Sequence, residues 1–177
     1  AMESQVGKID KSLVNIFDND SSFEIGEIGV KPFSIPHDAA DPVGYSFMCG
    51  DEKVAVATDI GELKKDLFEA IRGSKTVLLE SNHDVNMLEI GKYPPQLKRR
   101  IRGKLGHLSN DDAGRAAEFL VRLGTERIIL GHLSEENNYP ELARQTVICV
   151  LDDAGIKCGR DVLLGVALPQ QTVSLCG

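Results

Sequence analysis

Three short apolar runs do most to limit what this chain can become: KVAVATD at residues 53–59, TVLLES at 76–81 and RIILGH at 127–132. Each has strand length, is rich in β-branched residues and stops abruptly at a polar side chain. Stretches with helical spacing lie after them, so sheet layers covered by helices are expected, in an α/β (α+β) architecture. At 177 residues and 42% hydrophobic content, the chain is long enough to bury one sizeable core, and its length argues for a single domain.

The remaining elements follow from the same patterns. Val6, Ile9, Leu13, Ile16 and Phe17 recur at spacings of three and four, which predicts an amphipathic helix from Met2 to Phe17. Residues 21–38 alternate apolar and polar positions, and together with GYSFMCG at 44–50 and KVAVATD they read as consecutive strands of a meander. A helix is expected over Glu62 to Ile71, and two short helices between Asp84 and Lys104, where Pro94 and Pro95 break the pattern. Ser109 is the expected N-cap of a helix that Gly124 stops. Another helix runs from Tyr139 to Asp153, and DVLLGVAL and QTVSL are expected to close the sheet.

Composition excludes several classes. No run of about 18 apolar residues occurs and no apolar stretch follows a basic N-terminus, which predicts neither a membrane span nor a secretory signal and therefore a soluble, cytoplasmic protein. Cys49, Cys149, Cys158 and Cys176 form no C-x-x-C pair, which argues against a zinc ribbon and a disulfide framework. The absence of G-x-G-x-x-G and G-x-x-x-x-G-K-[ST] removes the nucleotide-binding Rossmann and P-loop readings. A net charge of -7 opposes indiscriminate adhesion to nucleic acid. One local exception is the run Lys98, Arg99, Arg100, Arg102 and Lys104, a pattern that is often only a solvated helix face.

The four histidines sit beside element ends: His37 in IPHDAADPVGY, His83 in LLESNHD, His107 in GKLGHLSNDDA and His132 in IILGHLS. Asp59 ends KVAVATD in the same way. Taken singly, each histidine is more often a satisfied surface or core residue than a ligand. Together, imidazoles and a carboxylate presented from strand ends suit divalent metals, since neutral imidazole is a common zinc ligand and a carboxylate can bridge two cations.

These residues resemble the metallo-β-lactamase superfamily from its third motif onward: a His before a Gly-Tyr strand, a strand ending in Thr-Asp, one ending in Glu-Ser, and a late Gly-His-Leu-Ser. Within it, PHDAADPVGY, ATDIG and LESNHD resemble the YycJ-like branch of DNA exonucleases. The resemblance implies an αββα sandwich, of which this chain is mainly the C-terminal half. It also implies two divalent ions, Zn or Mn, with His37 and His132 as ligands and Asp59 as the bridge. By the same resemblance, His107 reaches the scissile phosphate, His83 and Glu80 act in proton transfer or behind the ligands, and Asp84 and Asp38 orient histidines, although either carboxylate could equally cap a helix. Lys98, Arg99, Arg100, Arg102 and Lys104 then track the backbone of a single-stranded DNA substrate into the site.

The family's first two motifs, a His-x-His-x-Asp-His run, do not occur in this sequence. The expectation is therefore a domain incomplete at its N-terminus, whose partner is its own missing half, with a homo-oligomer also open. Two competing expectations are a small-substrate hydrolase (a thioesterase or cyclic phosphodiesterase) on the same fold, and a metal-free interaction module whose histidines are structural.

Overall fold

The computed structural model describes residue 7, residues 9–19 and residues 21–175. Among these residues, seven strands form one mixed sheet in sequential order: β1 (Phe23–Ile25), β2 (Ile28–Ser34), β3 (Val43–Cys49), β4 (Glu52–Ala57), β5 (Thr76–Glu80), β6 (Arg127–Gly131) and β7 (Leu163–Val166). Strands β1 to β4 pair antiparallel through short turns and one longer loop, whereas β4 to β7 pair parallel. Parallel neighbours need crossovers, and helices supply them here. These are α1 (Lys65–Ile71) between β4 and β5, then α2 (Val85–Ile90), α3 (Pro95–Ile101) and α4 (Asn110–Arg122) between β5 and β6, and α5 (Pro140–Asp153) before β7.

Side chains on alternate strand positions point to one face and meet the helices. Ala55, Ala57, Val77, Leu79, Ile128, Leu130 and Leu164 from the sheet join Leu67, Ile71, Leu120, Val147 and Leu151 from α1, α4 and α5 in a single core cluster. Helix α4 contributes Ala113, Ala116, Ala117 and Leu120, a stripe at spacings of three and four made mostly of alanine. Small side chains let α4 approach α5 closely, and burying Leu120 alone contributes about 2–3 kcal/mol. The opposite face is also apolar: Tyr45, Phe47, Val54, Val56, Leu78 and Ile129 share it by register, and most are half-buried. Strands apolar on both sides are expected where both faces of a sheet are covered.

Two expectations fail. Only part of the anticipated Met2–Phe17 helix falls within the described residues; there, Lys11–Leu13 form a single 3-10 turn, and Leu13 and Ile16 are 75% and 94% exposed. Apolar spacing without a surface to bury against does not nucleate a helix. The QTVSL segment forms no strand: Gln171 makes an isolated bridge with Leu168, and Val173 and Leu175 instead lie over Gly165 of β7. Among the described residues, no helix is long and apolar enough to cross a membrane.

The α4–α5 contact gives a direct test. A Cβ placed on Gly114 would lie 2.8 Å from Val150 Cβ. Gly114→Ala should therefore destabilise the fold by about 1–3 kcal/mol in urea unfolding, with partial recovery in the Gly114→Ala, Val150→Ala double variant.

Candidate metal centre

The site forms where the parallel strands end. Asp59 follows β4, Glu80 is the last residue of β5, and His132 follows β6, so three adjacent strands deliver three polar side chains to one sheet end. In open α/β sheets the carboxyl ends of strands are where ligands bind. Asp59 and His132 are the two non-glycine residues with positive φ among the described residues, at 60° and 57°. Such conformations are uncommon outside glycine and gather at functional sites. His37 arrives from the β2–β3 loop and His107 from the segment before α4.

Asp59, Glu80, His107 and His132 each offer a donor atom within 4.8 Å of one another. His37 lies beside them, its Nε2 3.6 Å from the Asp59 Oδ1 and its ring centroid 4.9 Å from that of His107. Glu80 lies at the bottom, fully buried. His107 and His132 meet its Oε1 through Nδ1 at 2.8 and 2.7 Å. Its Oε2 accepts from the backbone N–H of Ile60 at 2.7 Å and of Leu108 at 3.0 Å, and Asp59 N–H approaches Oε1 at 3.3 Å. Burial alone would raise this carboxyl, but the hydrogen bonds from His107, His132 and Leu108 outweigh it and hold it down at about 2. The same bond from Glu80 raises the His132 imidazole against the opposing effect of burial.

An ionised Glu80 can only accept, so Nδ1 must be the donor in both His107 and His132. His37 Nδ1 sits 3.1 Å from the carbonyl oxygen of Gly106, which is likewise acceptor only. In its neutral form each of these three imidazoles therefore carries its lone pair on Nε2, the tautomer that oxygen partners behind a metal ligand impose. The His37 lone pair then faces two carboxylates, Asp59 at 3.6 Å and Asp38 at 3.5 Å, an arrangement that calls for a cation or a proton between them. The donor set fits a divalent metal ion, which Asp59, Glu80, His107 and His132 could hold between them, with the Nε2 of His37 in reach from Asp59.

The other sequence candidates are placed differently. His83 is 2% exposed and outside the donor cluster; its Nδ1 has no partner among the described residues, and burial lowers its pKa. Of the two roles open to Asp84, the structure shows the helix cap: its side chain caps α2 by accepting from Met87 N–H at 2.8 Å. Asp38 makes a bidentate pair with Arg100, at 2.5 and 2.8 Å, which keeps its carboxyl below the usual range. Within the basic run, Lys98 donates to the Glu89 carbonyl and Lys104 pairs with Glu62, so three of the five cations are engaged. Arg99 and Arg102 are exposed at the end of α3.

Sequence reasoning missed the asparagines. Asn82 donates to the His132 carbonyl at 2.9 Å, and Asn138 donates to the carbonyls of Ser81 and Asn82 and to the Asn110 side chain. This buried amide network ties the ends of β5 and β6 to the start of α4. Its signal was the recurrence of asparagine beside element ends, in SNHD, LSND and ENNY. Gly61 matters in a similar way: a Cβ there would come within 2.4 Å of the Lys104 carbonyl oxygen, so the loop bearing Asp59 could not lie against the segment leading to His107.

Comparison with known proteins yields consistent matches. Residues 3–133 match the sequence profile of the β-lactamase superfamily domain. The exodeoxyribonuclease YycJ of Bacillus anthracis is 40% identical over 159 residues, covering 90% of this chain and 60% of that protein. The exodeoxyribonuclease WalJ of Streptococcus pneumoniae is 38% identical over 163 residues, covering 91% and 61%. This chain thus spans 60–61% of the length of these curated relatives. Among solved structures, the metallo-β-lactamase-fold protein YhfI of Bacillus subtilis aligns with a TM-score of 0.59 at 14% identity, over 85% of this chain and 50% of that one. Zn(2+)-bound PqqB of Methylobacterium extorquens aligns at 0.58 with 18% identity, over 90% and 55%. At these identities the likeness is one of fold.

The Glu80 geometry predicts a pH effect. Its carboxyl sits at about 2 in the folded chain against a usual value of 4.5, so its contribution is complete above 4.5 and is lost as pH falls from there through 2. In chelator-treated protein, urea unfolding should show a loss of stability across that window that is absent from Glu80→Gln.

Proposed function

Because this chain belongs to the metallo-β-lactamase superfamily, we propose that it carries part of the active site of a two-metal phosphodiesterase, a nuclease that degrades single-stranded DNA. The observation that carries this reading is the set of three imidazoles whose Nδ1 atoms are committed to fixed oxygens, gathered around Asp59. The exodeoxyribonuclease names of the two relatives support DNA as the substrate. Zinc and manganese both suit imidazole and carboxylate donors.

Divalent cations, when bound, supply the Lewis acidity that activates water and steadies the leaving oxygen. The chain does the rest. Asp59 Oδ1 lies 3.6 Å from His37 Nε2 and 3.7 Å from His132 Nδ1, so its carboxylate is within reach of both residues. Glu80 holds His107 by Nδ1, which leaves Nε2 as the nitrogen that meets a phosphate oxygen, with a hydrogen bond or a proton. Arg99 and Arg102 offer exposed charge to the sugar-phosphate backbone, while Arg100 fixes α3 to the His37 loop through Asp38.

The three ligands of this reading, His37, Asp59 and His132, do not fill two catalytic ions, each of which takes about three protein ligands. On this proposal the remaining ligands come from a segment of the protein outside these residues, and the apolar second face of the sheet is the surface such a segment would cover.

Single substitutions separate these roles, measured on protein expressed from its whole gene. Asp59→Ala should lose both hydrolysis and bound metal in elemental analysis; full activity in that variant would sink the assignment. His107→Ala should keep its metal and lose about 10²–10⁴-fold in kcat. Arg102→Ala should weaken strand binding and reduce the slope of log affinity against log salt by about 0.7.

A further inference from the structure

The segment His132–Glu135 borders two recesses. One, of about 370 Å³, is lined by Tyr93, Arg100 and His107 and belongs to the metal centre and its basic approach. The other, of about 610 Å³, begins at the same His132 and runs between the start of α5 and the turn after β7. Its walls are Leu133, Tyr139, Pro140, Leu168 and Pro169, with Glu135 at the shared edge. The size of this second recess falls within the range of about 300–1,000 Å³ typical of small-molecule sites.

Its chemistry narrows the occupant. Among the described residues, no lysine or arginine lines it, and Glu135 would repel a phosphate, so the strand backbone is not what it receives. What it offers is flat apolar surface, two proline rings and a tyrosine that is 49% exposed. An aromatic ring that is half in water keeps a flat apolar face free for stacking. Bases of a single strand present apolar faces that stack on such side chains regardless of sequence. The backbone cations lie on α3, along the other recess, so a strand whose phosphate sits at His107 and His132 has charge on one side and a stacking surface on the other.

We propose that the recess bounded by Tyr139, Pro140, Leu168 and Pro169 holds the base of a nucleotide next to the scissile phosphate. This rests on the nuclease reading above and adds where the strand lies and which part of it is gripped. The Asn138 side chain is consumed by bonds to Ser81, Asn82 and Asn110. That leaves few polar groups to read a base edge, so the grip is on a base as such, with little preference among the four.

The test uses metal-loaded protein from the whole gene and single-stranded oligonucleotides carrying one abasic position, moved stepwise along the strand. At the position that occupies the recess, the missing base should raise KM about 5- to 100-fold. Tyr139→Ala should raise KM by a similar factor on the intact strand, and Tyr139→Phe should restore it. Variant and abasic position together should cost no more than either alone, since both remove one contact. Tyr139 caps α5 without a side-chain bond and is half exposed, so these variants should fold, which circular dichroism checks. Hydrolysis indifferent to every abasic position, or losses that add in full, would overturn the subsite and leave the nuclease reading standing. No hydrolysis of any strand by the metal-loaded parent would overturn both.

Discussion

The Glu80 carboxylate accepts from two imidazoles and from backbone N–H groups of the loops after β4 and before α4, and the geometry of the whole centre depends on those bonds. A buried carboxylate is expensive unless donors replace the water it has lost. Here the donors come from parts of the chain far apart in sequence, so the charge can be satisfied only when all of them are in place. The folding requirement and the functional one therefore coincide: loops that would otherwise be loosely held are drawn to a single point by the need to solvate one negative charge. Asp59 then stands above Glu80 with its carboxylate 42% exposed, free to act outward because the inner carboxylate has taken the structural work.

The sheet divides that labour along its width. Its antiparallel half, β1 to β4, brings His37 in on the long β2–β3 loop, while the parallel half presents Asp59, Glu80 and His132 from successive strand ends. Antiparallel strands scatter their carboxyl ends to both edges of a sheet; parallel strands collect theirs at one. The side of the sheet facing the helices is packed with alanine, valine and leucine, and this rigid support fixes where the strand ends point. The Asp38–Arg100 pair ties the two halves together outside the sheet, joining the His37 loop to α3.

Much of this was legible in the sequence because strand ends announce themselves. KVAVATD, TVLLES and RIILGH each break from apolar to polar at the residue that reaches the centre, and a period-two or continuous apolar run leaves little choice of element. The helix ends at Ser109 and Gly124 were equally plain, since capping is a local matter. What failed was nonlocal. The spacing of Leu13, Ile16 and Phe17 suits a helix, but helices form by burying a face, and Phe17 instead packs against Phe23 and Tyr45. The central position of Glu80, rather than a place at the margin, could not be read from LLES alone, because it depends on histidines 27 and 52 residues away. Asp84 shows the converse: a carboxylate beside a histidine in sequence, spent on a helix cap.

The left-handed backbone at Asp59 and His132 bears on how such a protein would change over generations. A side chain at these positions resists the conformation that the loop imposes, and the resistance is tolerated only while the side chain is needed. In a gene copy released from its chemistry, the same two codons would be expected to drift first, toward glycine or asparagine, which accept that conformation readily. The backbone would survive the change almost unaltered, so a descendant could keep this fold, and its outline, long after losing the ability to hold a metal.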